Sequence, residues 1–258
     1  MIALDQERIT SFFHALLRDL LEQAGSYKEK WYELIEFQDR FELSAREVKE
    51  LMMHFTFILR RKGNYTSYIA IDKVQFVIEA RSLLDKEFRE LAEILNFTEF
   101  ERLICRILDE NGYYTLTNFR FADATQLKEH TSQERYEIDV IGLYRHYLLI
   151  IDAKQWSRRD VFSTMNKAAN LQYQRVIALY NNPEVLKELI ETLTQGKKRL
   201  KDILPLTLLP MMATLEDNGI RLNDCQVPLV ACDKLNSFLR EFEKYLYYFQ
   251  NLRVKSSE

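Results

Sequence analysis

Two short apolar runs near the middle of the chain place the strongest constraint on its fold. They span residues 135–143 and 146–153 and are separated by Tyr144-Arg145, which is typical of a β-hairpin. Each run contains an acid, because Asp139 interrupts the first and Asp152 comes at the end of the second. The sheet that contains this hairpin must therefore accommodate two carboxylates beside its apolar core.

Side chains alternate across a strand, which predicts where these acids lie. Glu137, Asp139 and Ile141 are expected to share one face of the first strand, and Asp152 and Lys154 one face of the second. If the strands pair, the two aspartates lie near each other where the hairpin opens. Close carboxylates repel unless a positive charge neutralises them, and Mg²⁺ typically binds one or two carboxylates together with a substrate phosphate. The alternative is that each acid is structural, in a salt bridge at a strand end or on an edge strand.

The rest of the chain after residue 95 predicts helices on the faces of a mixed sheet. Thr98 can cap a helix that Asn111-Gly112 ends, and a strand follows at about residues 113–121. Further helices are predicted from Arg159 to about Tyr180 and from Pro183 to the basic cluster 197–201. Two strands are predicted at 204–215 and 227–232, and a last helix over LNSFLREFEKYLYYFQ. We therefore expect an α/β domain over residues 96–258, with a mixed central sheet flanked by helices.

Residues 1–95 predict an all-helical accessory domain. Apolar residues spaced by three and four favour a helix at 12–24, and a further helix is expected at about 72–94. Between them, Ser44 and Glu47 form a capping-box pattern that starts a helix ending in Arg60, Arg61 and Lys62. Its basic end resembles that of a recognition helix, but a packed accessory domain is the favoured interpretation.

Composition narrows the classes of function. The net charge of -3 provides no global basic field for nucleic acid, although a local basic groove is compatible with it. The three cysteines form no CxxC pair, which disfavours a zinc site and a disulfide scaffold and fits a reducing cytoplasm. We expect no signal peptide and no membrane span, because no apolar run approaches ~20 residues.

The segment from about Phe97 to Tyr180 resembles the core of the PD-(D/E)XK, or restriction-endonuclease-like, nuclease superfamily. It is most similar to archaeal Holliday-junction resolvases and Mrr-type restriction enzymes. FERLICRILDENGY matches the first core helix, EIDVIG the first catalytic strand and IIDAK the (D/E)xK strand. Ile138 stands where the family name has proline, and Asp152 stands where glutamate is commoner.

The resemblance implies a magnesium site and a catalytic lysine. Asp139, Asp152 and the backbone carbonyl of Ala153 would hold Mg²⁺, and Mn²⁺ is expected to substitute for it. The ion would bind a phosphate oxygen and acidify a water. Lys154 would orient or deprotonate that water and help to neutralise the charge that develops on phosphorus.

Other acidic and polar residues would complete this site. The resemblance assigns the glutamate of the first core helix to Glu101, with Glu99 as the alternative. This glutamate would position the water shell of the metal or help to hold a second ion. Glu137 and Gln155 are neighbours that would support the site, although Gln155 could equally pack.

Basic residues would contact the phosphates of a nucleic acid. The candidates are Arg145, Arg158, Arg159 and Lys167, with Lys128, Arg175 and the cluster 197–201 as further ones. Arg158 and Arg159 directly follow the catalytic strand and are the best placed. Each of these residues could instead be a solvated surface charge, and the cluster could complement a helix dipole.

The favoured function is a metal-dependent nuclease that hydrolyses phosphodiester bonds in DNA. The alternatives are an inactive protein of the same fold, acting in nucleic-acid binding or protein assembly, and an unrelated α/β protein with structural acids. The intact Asp-x-Lys favours the nuclease. The expected partner is DNA, and the resemblance to nucleases, in which two strands need two sites, implies a homodimer as a further possibility. The N-terminal helices could bind DNA, form a dimer or recognise another protein.

Overall fold

A computed structural model of the chain describes residues 4–22, 30–122, 135–155, 162–215, 217 and 221–255. The chain forms two compact units, Met1–Phe100 and Glu101–Glu258, here called the N-terminal and C-terminal units. The domain boundary expected at residues 95 and 96 stays a prediction. No helix in the described ranges is both long and apolar enough to cross a bilayer.

The N-terminal unit combines helices with a small antiparallel sheet, whose strand order is β1-β3-β2. Its elements are α1 (Gln6–Leu21), β1 (Lys30–Glu33), α2 (Leu34–Arg40), α3 (Ala45–His54), β2 (Ile58–Lys62), β3 (Ser67–Ile71), α4 (Lys73–Leu83), α5 (Phe88–Ala92) and the start of α6 (Phe97–Glu110). The helices confirm the expected helical region, but the expectation that this region is all-helical is wrong.

The error arises between α3 and β2. α3 starts with the predicted capping box, in which Ser44 N–H donates to Glu47 Oε2 (2.7 Å) and Glu47 N–H donates to Ser44 Oγ (3.2 Å). The helix ends at His54, however, and the following aromatic and β-branched residues favour an extended chain. The ring of Phe57 lies 5.2 Å from that of fully buried Phe13, so packing fixes this conformation. Arg60–Lys62 consequently belong to β2 and not to a helix end.

The C-terminal unit contains the expected mixed sheet. Its elements are the rest of α6, β4 (Tyr114–Ala122), β5 (Arg135–Tyr144), β6 (Tyr147–Lys154), α7 (Phe162–Tyr180), α8 (Pro183–Leu193), β7 (Leu206–Thr214), β8 (Leu229–Ala231), α9 (Leu235–Tyr245) and β9 (Leu252–Val254). The strand order is β4-β5-β6-β7-β8, and β9 also pairs with β7. The pairs β4–β5, β5–β6 and β7–β9 are antiparallel, whereas the pairs β6–β7 and β7–β8 are parallel. The hairpin, the sheet and the flanking helices confirm the predicted fold class.

Helices cover both faces of this sheet. On one face, apolar residues of β5 and β6 join those of α7 and α8 in one core cluster, which includes Ile141, Ile150 and Val176. α6 packs on the other face at Gly142, where a Cβ would lie only 3.1 Å from Leu108 Cδ1. A helix therefore approaches the acidic strands from each side.

The β4–β5 ribbon changes face at one position. The pairing continues from Thr117↔Val140 to Phe119↔Ile138 and leaves out Asn118 and Asp139. Ile138 and Ile141 both pack in the core cluster named above, although strict alternation would put residues three apart on opposite faces. The expectation that Glu137 shares a face with Ile141 is therefore wrong. Asp139 lies at the irregularity that separates the two halves of the strand.

Asn118 adopts the left-handed conformation (φ 55°) with an exposed side chain, so its backbone preference can be tested separately from packing. A Cβ in this region costs about 1–2 kcal/mol, which glycine avoids and asparagine partly tolerates. We expect Asn118→Ala to lower the free energy of unfolding by about 1 kcal/mol and Asn118→Val by about 2 kcal/mol. Asn118→Gly should leave it unchanged within about 0.5 kcal/mol. Urea denaturation followed by circular dichroism measures these values, and equal stability of the alanine and glycine variants would contradict the explanation.

Candidate active site

The two aspartates lie where β5 and β6 separate. The ladder between these strands ends at Val140↔Ile151, and Asp139 and Asp152 are the next residues of each strand. Beyond this point β6 continues beside β7, while β5 continues beside β4. The Asp139 side chain spans the opening, since its Oδ2 accepts a hydrogen bond of 2.9 Å from the backbone N–H of Ala153. The sequence-based expectation that the acids meet where the hairpin opens agrees with this geometry.

Lys154 connects the two acids. Its Nζ lies 3.2 Å from Asp152 Oδ1 and 3.4 Å from Asp139 Oδ2. Burial alone would lower the pKa of Lys154, but the carboxylates of Asp152 and Asp139 outweigh it and raise the pKa above its ordinary value. Lys154 therefore carries a full positive charge at neutral pH.

Helix α7 supplies two residues that sequence reasoning did not assign to the acidic site. Arg175 Nη1 donates to Asp152 Oδ1 (2.7 Å) and to Gln172 Oε1 (3.0 Å). Gln172 is completely buried and donates through Nε2 to the backbone carbonyl of Ile150 (2.7 Å). Arg175 was considered only as a phosphate contact. The sequence signal that could have identified them is a glutamine among the buried positions of α7, Gln172, followed about one helical turn later by Arg175.

Of the two glutamates considered on α6, Glu101 is the one that lies close to the acidic site. Burial, followed by the charge of Asp139, raises the pKa of Glu101 to about 7. Burial and the nearby Asp152 also raise the pKa of Asp139. The alternative, Glu99, serves a different purpose, because it forms a reciprocal cap with Asn96 (2.8 and 2.9 Å) and an ion pair with buried Lys73 (3.5 Å). Asn96, and not Thr98, is thus the cap of α6.

The supporting residues and phosphate contacts expected from the sequence are dispersed. Glu137 forms an ion pair with Arg120 (2.9 Å) and is close enough to contribute to the raised pKa of Glu101. Gln155 is half-buried directly after β6, and its role stays a prediction. Arg145 is exposed in the β5–β6 turn, roughly 20 Å along the strand from Asp139 by the rise of an extended chain. The structure does not bring Arg145 to the acids.

The other basic candidates lie elsewhere or outside the description. Lys167 is exposed on α7, two turns before Arg175. Lys128, Arg158 and Arg159 fall outside the described residues. Their contacts with nucleic acid stay predictions.

The donor set fits a hard cation that completes its ligands from water and phosphate. No three His, Cys, Asp or Glu residues in the described part of the chain lie close enough to form a ready-made metal site. In the contacts above, Asp139 uses only Oδ2 and Asp152 only Oδ1, so each has a second carboxylate oxygen. In a strand, the N–H and C=O of one residue point to the same side. Because the Ala153 N–H points to Asp139, its carbonyl points into the same opening.

Comparison with known proteins identifies a nuclease-related segment. Residues 98–210 match the model of a family described as a nuclease-related domain, NERD. This segment runs from α6 into β7 and includes the residues of the acidic site. It indicates a nuclease-related function for this part of the chain.

The whole chain has a distant structural relative. It is similar to protein VC1899 from Vibrio cholerae, a crystal structure, with 16% sequence identity and a TM-score of 0.38. The alignment covers 95% of this chain and 53% of that one, so the chain spans about half the length of the structure that it matches. None of the curated proteins matches the sequence.

The raised pKa of Glu101 predicts a pH dependence of stability. A carboxyl whose folded-state pKa is about 7, against an ordinary value of 4.5, binds its proton more tightly when folded. This stabilisation is fully present below about pH 4.5 and is lost as the pH rises through about 7. In Glu101→Gln the decrease in stability with rising pH should be smaller. Part of the decrease should remain, because the pKa of Asp139 is also raised. Thermal denaturation from pH 5 to 8.5 measures this pH dependence. The control is Glu110→Gln, which changes an exposed glutamate of the same helix. The same pH dependence in both variants would contradict the prediction.

The contact between Arg175 and Asp152 predicts strong energetic coupling. Asp152 is only 1% exposed, so removal of a partner leaves a buried charge less well compensated. Because Lys154 remains nearby, we expect Arg175→Met to lower the free energy of unfolding by about 2–3 kcal/mol. The loss should be much smaller in an Asp152→Asn background. A double-mutant cycle measured by urea denaturation gives the coupling, and additive effects would show that the ion pair is not important.

Proposed function

We propose that the chain is a metal-dependent nuclease that hydrolyses phosphodiester bonds in DNA. The observation that carries the proposal is the convergence of Asp139, Asp152 and Lys154 at the opening between β5 and β6. Two electrostatically coupled carboxylates and an ammonium group are what phosphoryl transfer requires for binding a hard cation and stabilising negative charge. The nuclease-related match over residues 98–210 supports the same function, and the resemblance to PD-(D/E)XK nucleases supports this chemistry.

The proposed cation is Mg²⁺, with Mn²⁺ as a substitute. Asp139, Asp152 and the carbonyl of Ala153 would hold it, and Glu101 would lie beside it. When bound, the ion supplies Lewis acidity to the phosphate group and to the attacking water.

Lys154 would stabilise the charge that develops during the reaction. The carboxylates of Asp152 and Asp139 raise its pKa, so it is protonated and can act as a hydrogen-bond donor. The two aspartates fix its position from both strands. Its ammonium group can then donate to a phosphate oxygen as negative charge accumulates there.

Glu101 would orient the attacking water. It approaches from α6, on the sheet face opposite to that of α7, and its pKa of about 7 lets it exchange a proton near neutral pH. Arg175 acts from the other face by neutralising Asp152. The two helices thus have different proposed roles at one opening in the sheet.

A second candidate function is a catalytically inactive protein of the same fold that binds nucleic acid or assembles with proteins. One observation favours it: Lys154 and Arg175 already neutralise the buried acid Asp152 through ion pairs of 3.2 and 2.7 Å. A site that is balanced in this way retains its structure without a cation.

The nuclease proposal predicts metal-dependent cleavage. The protein should cut labelled DNA with Mg²⁺ or Mn²⁺ and not with EDTA, and duplex, branched and single-stranded substrates will rank its preference. Asp152→Asn and Lys154→Met should each reduce the rate by roughly 100-fold or more, because each removes a group that acts on the reacting phosphate. Lys187→Met removes an exposed lysine from α8 and is the matched control.

The outcomes separate the two candidates. Cleavage that persists in EDTA, or in both site variants, would disprove the proposed mechanism. If no substrate is cut, while calorimetry detects no difference in Mg²⁺ binding between the wild type and Asp152→Asn, the inactive protein is the correct interpretation. Circular dichroism must show that the variants remain folded.

A further inference from the structure

A basic strand lies within an acid-free part of the N-terminal unit. Although the net charge is -3, the sequence contains no aspartate or glutamate between Glu50 and Asp72. This part includes β2, on which Arg60, Arg61 and Lys62 are consecutive and exposed. The local positive charge is therefore opposite in sign to that of the chain as a whole.

The three cations are not paired with acids of the described residues. Arg60 Nη2 donates to Ser67 Oγ across the β2–β3 hairpin (3.1 Å), and the Arg61 guanidinium carbon lies 4.7 Å from the ring centre of Trp31. These contacts hold the side chains without neutralising them. β2 is also an edge strand, since the sheet order is β1-β3-β2. The cations can consequently be approached both across the sheet and from its edge.

Aromatic side chains lie beside these cations. Trp31 and Leu59 are both opposite Ala70 of the central strand, so they share one face, and they are 36% and 41% exposed. Tyr68 lies one row further on that face, between Arg61 and Glu33. Glu33 is the single acid in these two rows.

The β2–β3 turn extends this surface. Tyr65 projects from the turn with its side chain fully exposed. Gly63 packs directly on Tyr68, because a Cβ there would lie 2.7 Å from Tyr68 Cε2. The turn is closed by a hydrogen bond of 2.8 Å from the Gly63 N–H to the carbonyl of Thr66. Arg61 shares the face of Trp31 and Tyr68, whereas Arg60 and Lys62 are opposite Ile69 and Ser67 and project from the other face of the same edge strand. We call Trp31, Tyr65, Tyr68 and Arg60–Lys62 together the hairpin edge.

We propose that the hairpin edge binds single-stranded nucleic acid. Phosphates complement the three cations, which lie on both sides of the edge strand β2, and unpaired bases can stack on the exposed rings of Trp31 and Tyr65. In a duplex the bases already stack on one another, so exposed rings favour a single strand. This proposal concerns residues of the N-terminal unit alone and does not depend on the catalytic role proposed for the acids of the C-terminal unit.

The test uses the fluorescence of Trp31 in the full-length protein. The chain contains two tryptophans, so Trp156→Phe leaves Trp31 as the sole reporter. Oligo(dT) and a duplex of equal length are titrated in EDTA, which prevents metal-dependent cleavage. We expect saturable quenching by oligo(dT), with a log Kd that changes with log salt by a slope of about 2, from three phosphate contacts at about 0.7 each.

Two sets of variants locate the site. Arg60→Gln with Lys62→Gln should weaken binding, measured by anisotropy of labelled oligo(dT), roughly 10-fold or more and reduce the salt slope by about 1.4. Lys197→Gln with Lys201→Gln removes the same charge from the exposed basic cluster of the C-terminal unit and should leave the affinity and the salt slope unchanged. Trp31→Ala should weaken binding by about 5- to 100-fold, as expected for a lost stacking partner.

The proposal is wrong if oligo(dT) does not quench Trp31, if the duplex quenches it equally, or if the Lys197 and Lys201 variant is the one that loses binding. Equal melting temperatures of the variants exclude misfolding as the cause of a loss. Failure of the proposed nuclease activity leaves this test unaffected, because binding is measured without a metal.

Discussion

The buried carboxylate of Asp152 is the charge around which the C-terminal unit is organised. An unpaired carboxylate inside a protein is very costly, so cations must be brought to it. One comes from its own strand, as Lys154, and the other from α7, as Arg175. Gln172 then joins this helix to the backbone of β6. Neutralisation of one acid therefore also fixes where α7 lies on the sheet.

The opening between β5 and β6 follows from the change in strand direction within the sheet. β6 has an antiparallel neighbour on one side and a parallel neighbour on the other. Where β5 moves away, the backbone of Ala153 would lose its partner, and the Asp139 carboxylate replaces it. Buried backbone N–H groups are almost always paired. The acid that we propose as a metal ligand thus also has a structural role.

Local patterns in the sequence were sufficient for β4 to β8, the β5–β6 hairpin and the meeting of the two aspartates. Strand periodicity and a short connection specify nearest neighbours, and the acids are nearest neighbours. Arg175 was not recognised as part of the site because its contact with Asp152 depends on the packing of a helix on the sheet. The choice between Glu99 and Glu101 also required the structure, because both acids lie in the first turns of α6 and only one caps it.

Two other features were missed for different physical reasons. The chain from Phe55 to Lys62 continues an apolar pattern that also fits a helix, whereas its aromatic and β-branched residues and the pairing of Ile58–Lys62 with β3 favour a strand. The change of face in β5 violates the alternation on which the assignment of Glu137 and Ile141 rested. A rule based on period two has no means of detecting a position where both strands of a ribbon depart from it together.

The left-handed residue of β4 has a consequence beyond the placement of Asp139. β4 is the outer strand of the six-stranded sheet in the described part of the chain, and an outer strand can act as a template for strands from other molecules. A regular row of outward N–H and C=O groups is what such templating needs. Asn118 interrupts that row near the middle of the strand, so a foreign strand cannot maintain register along its length. We therefore expect the irregularity at the acidic opening to disfavour edge-to-edge pairing with other molecules as well.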